Sequence, residues 1–123
     1  MQCPKCHSRM DKVPTPQGVV DRCSNCKGIW FAILEHEHLQ PYVDEIDTGS
    51  AETGAHYNKI DRIGCPVCPN SQLIRMVDVE QPHIWFESCA ICYGRFFDAG
   101  EFRDLSEVTL GDYFRRLSVK PRD

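Results

Sequence analysis

Eight cysteines fall into four Cys-x-x-Cys pairs, Cys3/Cys6, Cys23/Cys26, Cys65/Cys68 and Cys89/Cys92, with none left over. That spacing constrains the chain more than any hydrophobic pattern in it. Two sulfurs separated by two residues on a tight turn converge on one ion, and two such turns complete a tetrahedral site of four thiolates. The geometry and the softness of the donors favour zinc, with iron as the lesser choice. A disulfide framework would belong to a secreted protein, and nothing in the sequence argues for secretion. The longest unbroken apolar run is Ile29–Leu34, far short of the ~20 residues that span a bilayer. The opening Met1-Gln2-Cys3-Pro4 begins on a ligand pair rather than an apolar leader. A cytoplasmic protein with no membrane association is expected.

The device is built twice. Cys3, Pro4 and Cys6 correspond to Cys65, Pro66 and Cys68, and "CSNCKGIWFAILE" (from Cys23) corresponds to "CAICYGRFFDAGE" (from Cys89). Sixteen residues separate Cys6 from Cys23 and twenty separate Cys68 from Cys89, so the difference lies in the spacer, where a hairpin can lengthen without disturbing a metal. The simplest assignment is sequential: one zinc held by Cys3, Cys6, Cys23 and Cys26, and a second by Cys65, Cys68, Cys89 and Cys92. A cross-braced assignment mixing the halves runs against the repeat. Two residues past each second cysteine stand Ser8, Gly28, Asn70 and Gly94, where the backbone turning back toward the thiolates calls for residues that tolerate positive φ.

The spacers read as strands. "GVVDR" leads into Cys23 and "HIWFES" into Cys89, both rich in β-branched or aromatic residues. "MDKVPTP" and "LIRMVDV" are the opposing arms of each hairpin. A helix start follows the second knuckle, with Asp98 and Glu101 spaced as a capping box and Phe102 and Leu105 on one face. The first copy has Ala32 where the cap would stand, so its helix is expected to be shorter, ending before Pro41. A second short C-terminal helix is expected from near Leu110 to Leu117. The fold class is thus a small zinc-stabilised α+β chain of tandem zinc ribbons. It is divided into a first ribbon with a short helix (1–40), an acidic, flexible linker (41–62), a second ribbon (63–100) and a helical C-terminal segment (101–123). Within the linker Thr48–Ala55 is rich in Gly, Ser and Thr, and Ile60 or Ile63 is placed to pack on the second ribbon.

The pattern CPxC, spacer, CxxCxG, a bulky pair, then Asp and Gly-Glu resembles the transcription-factor-IIB-type zinc ribbon family of bacterial and archaeal proteins. The second copy follows that pattern closely. The first departs at Ala32 and Leu34, where the family's Asp and Gly would stand. The resemblance implies zinc at the eight cysteines and does not imply a reaction.

Four thiolates around Zn²⁺ close the coordination sphere, so no catalytic activity is expected. The cluster Glu35–His38 could share a helix face and bind a further metal, although surface side chains are the commoner meaning of such a run. His7 could donate to a thiolate or replace one. The net charge is −4, and each four-thiolate zinc adds about −2 more, a balance that disfavours gripping phosphates. The basic candidates are Lys5, Arg9, Lys12, Arg22 and Lys27 in the first ribbon and Arg115, Arg116, Lys120 and Arg122 in the tail. A protein partner is the leading expectation, with Trp30, Phe31, Trp85, Phe86, Phe96 and Phe97 as candidate interface residues where they are exposed. The alternative for these residues is local core, with Trp30-Phe31 and Phe96-Phe97 beside the metal as a mini-core or as the surface joining the two ribbons. The alternatives are a nucleic-acid-associated or transcription-related factor and a zinc-thiolate redox switch.

Overall fold

The computed structural model describes residues 1–33, 35–60, 63–78 and 84–106. The first hairpin joins β1 (Met10–Thr15) to β2 (Gly18–Cys23), with Met10 opposite Cys23 and Thr15 opposite Gly18. Thr15 Oγ1 closes its turn, accepting from the Gly18 N–H at 3.1 Å and donating to the Gly18 carbonyl at 2.6 Å. The second hairpin joins β4 (Leu73–Val77) to β5 (Trp85–Cys89), with Leu73 opposite Cys89. Each hairpin therefore delivers one cysteine of its metal quartet at the end of its second strand. Beyond the second knuckle the chain turns back and adds a three-residue strand, β3 (Ile29–Phe31) on β2 and β6 (Arg95–Phe97) on β5.

These two short strands change the architecture. β3 pairs antiparallel with β6, setting Ile29 opposite Phe97, Trp30 opposite Phe96 and Phe31 opposite Arg95, so the sheet runs β1-β2-β3-β6-β5-β4 without a break. Trp30 and Phe96 occupy the same place in the repeat, and an approximate two-fold axis passes through that pair. The two expected hairpin ribbons are thus joined in one continuous six-stranded sheet carrying two cysteine quartets. The reason is physical: β3 and β6 would each be an unpaired sheet edge, and pairing them satisfies both rows of backbone groups.

Alternation along the strands sorts side chains onto two faces. One face gathers Val20, Ile29, Phe31, Phe86 and Phe97 with Leu39, Ile46, Ile84, Phe102 and Leu105 from the flanking segments. Here Phe31 meets Phe97 edge-on at 5.6 Å between centroids, and Phe86 stacks on Phe97 at 5.3 Å. The other face gathers Trp30, Phe96, Met10, Leu73 and Ile63 among the cysteines. Five of the six candidate interface aromatics are therefore interior: Trp30, Phe31, Phe86, Phe96 and Phe97 are all buried, and only Trp85 is open, at 38% exposure beneath the Arg75 guanidinium. They join the two halves to each other.

Gly28 and Gly94 belong to this seam. A Cβ on Gly28 would overlap the Phe96 ring, and one on Gly94 would overlap the Trp30 ring. Neither glycine has positive φ, so close approach of the opposing ring explains them and turn geometry does not. Gly94→Ala is expected to destabilise by about 1–3 kcal/mol, because the buried Trp30 ring it would meet cannot shift freely. Thermal denaturation at fixed free zinc checks this.

The connector departs from expectation most. After the short helix α1 (Glu35–His38) expected at the end of the first ribbon, the chain forms, in place of a flexible linker, a 3₁₀ turn (Gln40–Tyr42), α2 (Val43–Ile46) and α3 (Ala51–Asn58). α1 is short and ends before Pro41, as Ala32 implied. Ser50 caps α3, its side chain accepting from the Thr53 N–H at 3.1 Å. Ile46 and Asp47 are fully buried, and α3 brings Gly54 against the Ala99 carbonyl so closely that a Cβ could not fit. The composition that suggests flexibility also permits tight docking. Ile63, not Ile60, packs on the second ribbon, with its carbonyl accepting from the Leu73 N–H at 2.8 Å. Residues 101–106 are helical; the expected Leu110–Leu117 helix and the basic tail residues lie outside the described residues. Among the described residues no helix is long and apolar enough to cross a membrane.

Candidate metal centres

All four knuckles close the same way. The N–H of the first cysteine donates to a carbonyl further on: Cys3 to Ser8 (2.8 Å), Cys23 to Gly28 (2.8 Å), Cys65 to Ser71 (2.8 Å) and Cys89 to Gly94 (3.0 Å). Such a tight return needs one left-handed residue, found at His7, Lys27, Asn70 and Tyr93. In three knuckles this is the residue directly after the second cysteine, one earlier than the sequence pattern suggested. The third knuckle has Pro69 there, whose ring forbids positive φ. Asn70 takes the role instead, and the closure lengthens by one residue to Ser71. One of the four extra spacer residues is thereby explained. The other three lie in the second hairpin, where Asp78 donates to Ile84 in the position that Thr15 and Gly18 hold in the first.

The knuckles bring the sulfurs together in the sequential assignment. Cys3, Cys6, Cys23 and Cys26 form one group and Cys65, Cys68, Cys89 and Cys92 the other, with all ligand atoms of a group within 4.8 Å of one another. A zinc–sulfur bond of about 2.3 Å in a tetrahedron places sulfurs roughly 3.8 Å apart. The Sγ atoms of Cys3 and Cys26 stand 3.7 Å apart, those of Cys65 and Cys92 3.8 Å, and those of Cys6 and Cys23 3.2 Å. Both quartets are compatible with zinc. Backbone N–H groups also turn onto the sulfurs: Cys23 accepts from Asn25 and Cys26, both at 3.4 Å, and Cys65 from Val67 at 3.4 Å and Cys68 at 3.2 Å. Four thiols this close cannot ionise together unaided. The Cys3 thiol falls to about 5 chiefly through its contact with Cys26, while the Cys26 thiol is driven up by that same contact and by burial. A divalent cation removes this conflict by holding all four as thiolates.

The two quartets differ in cover. Cys3, Cys23 and Cys26 are buried in the first, whereas in the second only Cys89 is buried. The second site is expected to surrender its metal first to a chelator. Stopped-flow release from wild type and from a Cys92→Ser variant, which should lack the fast phase, checks the order.

Beside the first quartet lies a charge network that the sequence pattern did not reveal. Lys5, named above among the basic candidates of the first ribbon, has a fully buried side chain. Its Nζ lies 2.6 Å from Glu87 of β5, 2.6 Å from Asp98 after β6 and 3.0 Å from the Tyr57 carbonyl of α3. Burial raises the Glu87 carboxyl to about 7 and raises that of Asp98, with Lys5 opposing both. Asp98 consequently does not serve as the expected helix cap. That role falls to Asp47 in the connector, whose carboxylate accepts from the Gly100 N–H at 2.9 and 3.0 Å and from the Arg103 N–H at 2.9 Å. Glu101 instead accepts from the Trp85 N–H at 3.4 Å. At the two-fold-related place Lys5 becomes Val67 and Asp98 becomes Ala32, so both partners of the bond are missing together. That joint loss was the signal available in the sequence.

Comparison with known proteins follows the same asymmetry. Residues 2–40 match the family described as transcription factor zinc-finger, the transcription-factor-IIB-type zinc ribbon. The matched segment is the copy that departs at Ala32 and Leu34, and the second quartet is a similar cysteine cluster beyond it. No curated protein and no solved structure matches the chain.

Among the described residues, the groups of side chains close enough to share an ion are the two cysteine quartets. The Glu35–His38 run does other work. Glu35 accepts from the Ala32 N–H at 2.8 Å, and His36 is buried with Nε2 3.1 Å from Arg95, its pKa lowered to about 4 chiefly by that burial. His7 supplies a left-handed turn residue, and His56 sits edge-on to Tyr57. His83 lies outside the described residues. Four sulfurs would leave a zinc no open position for water or substrate, and among the described residues no catalytic constellation accompanies either quartet.

Proposed function

We propose that the chain is a non-catalytic, zinc-stabilised adaptor that binds a protein partner along the free edge of its sheet at β4. The carrying observation is the contrast between the two edges. β1 is blunted in the usual ways, by Asp11, Lys12 and Pro14. β4 carries Ile74 and Met76, exposed by 53% and 41%, and past the short bridge between Gly64 and Gln72 its outer side faces no other strand among the described residues. An extended segment of a partner adding there would gain backbone hydrogen bonds and two apolar contacts. Next to it a groove of about 360 Å³ is lined by His36, Met76, Phe86 and Arg95 among others.

The nucleic-acid alternative has less support. Of its first-ribbon cations, Lys5 is buried, Arg9 and Lys12 pair with Asp11 and Asp21, and Arg22 donates to the Glu45 and Ile46 carbonyls. The test is capture from native lysate on zinc-loaded protein, with and without nuclease, alongside an Ile74→Asp/Met76→Asp variant of unchanged zinc content. A partner kept after nuclease and lost with the variant supports the adaptor. Retention that disappears with nuclease overturns it in favour of nucleic acid.

A further inference from the structure

The two-fold axis through Trp30 and Phe96 relates each half to the other, and one covered surface in the first half has an uncovered counterpart in the second. Around the first quartet the connector roofs Lys5, Lys27 and Ala99. Gly49 packs on the Cβ atoms of Lys27 and Ala99, Gly54 packs on the Ala99 carbonyl, and the Tyr57 carbonyl receives Lys5. The repeat converts these positions into Val67, Tyr93 and Ile33. The β3–β6 register, continued outward, sets Ile33 opposite Tyr93 just as it sets Ala99 opposite Lys27. Ala99 and Lys5 are buried, whereas Ile33, Val67 and Tyr93 are exposed by 54%, 51% and 58%, with Ile91 open on the same knuckle as Tyr93. Large apolar side chains grouped this way mark a surface that something covers.

We propose that this face is the seat of the chain's own segment 107–123, which covers Ile33, Val67 and Tyr93 as the connector covers Ala99, Lys5 and Lys27. Two observations select this occupant. Residues 101–106 stand at the place equivalent to 35–40, after which the connector begins, and 107–123 supplies at least as many residues as 41–57, which reach from there to Lys5. The chemistry also matches on each side. The connector, poor in apolar side chains along α3, offers a backbone carbonyl and close glycine contacts to a lysine-bearing seat. Segment 107–123 carries Leu110, Tyr113, Phe114 and Leu117, spaced i, i+3, i+4 and i+7, an apolar stripe suited to Ile33, Val67 and Tyr93.

The test uses the full, zinc-loaded chain with benzoyl-phenylalanine in place of Tyr93, irradiated as a mixture of light and heavy isotope-labelled copies. Cross-links from position 93 into residues 107–123 of the same copy are expected. Independently, Phe114→Asp/Leu117→Asp, remote from every cysteine in sequence, is expected to raise amide exchange in the 89–94 knuckle about tenfold while exchange in β2 and zinc content stay unchanged. Cross-links joining light to heavy copies would assign the face to a second molecule and overturn the proposal. So would unchanged exchange in the charged variant without tail cross-links.

Discussion

Cys26→Ser is expected to unfold both halves of the molecule, although it touches one metal site. A structural zinc contributes about 10–16 kcal/mol of apparent binding energy, against a total stability of roughly 5–15 kcal/mol for a domain. Cys26 is buried in the cluster that also holds Trp30, Phe96 and Cys89, so residues of both quartets share one apolar layer. Losing the first metal site removes the platform for Trp30, leaves β6 without its partner strand and releases Lys5 from Glu87 and Asp98. Metal content and amide exchange read the outcome together. The expected result is loss of protection in β5 and β6 as well as in β1 to β3. A variant that kept one zinc and native protection in β5 and β6 would mean that the halves fold independently and that the seam is an accessory contact.

The sequence disclosed the parts of this fold that are local or repeated, and little of what joins them. The quartets and both hairpins follow from cysteine spacing and β-rich spacers, because each is settled within a short stretch of chain. β3 and β6 are three residues long, too short for a period to register, and each is stabilised by the other across the repeat. The connector looked flexible because glycine disfavours helix, yet Gly54 is what allows α3 to reach the Ala99 carbonyl. The helix at 101–106 looked self-capped through Asp98, but its cap is Asp47, far away in sequence. Lys5 and Asp98 are apart in sequence by most of the chain, and neither carries a local mark of burial. A capping-box pattern is only a possibility until tertiary structure decides which donor each carboxylate meets.

Lys5→Met is the second substitution expected to have a large effect, and its direction differs from that of an ordinary surface lysine. The ammonium is shielded completely, with two carboxylates at 2.6 Å and the Tyr57 carbonyl as partners. Removing one side of a buried ion pair strands the other, an effect of about 3–5 kcal/mol. Here two carboxylates are stranded, and the Glu87 carboxyl, already raised to about 7, gains a further reason to hold its proton. The penalty therefore comes from uncompensated charge and should be reversible by removing that charge. Adding Glu87→Gln and Asp98→Asn to Lys5→Met is expected to recover most of the lost stability, since an entire buried ionic group can be replaced by neutral side chains at little net loss. Denaturant titrations at fixed free zinc measure each variant on one scale. If the triple variant is no more stable than Lys5→Met alone, the lysine acts through its ammonium over the Phe96 ring, 5.7 Å from the centroid, and the ionic bridge between the two halves is not what holds the first knuckle to the second ribbon.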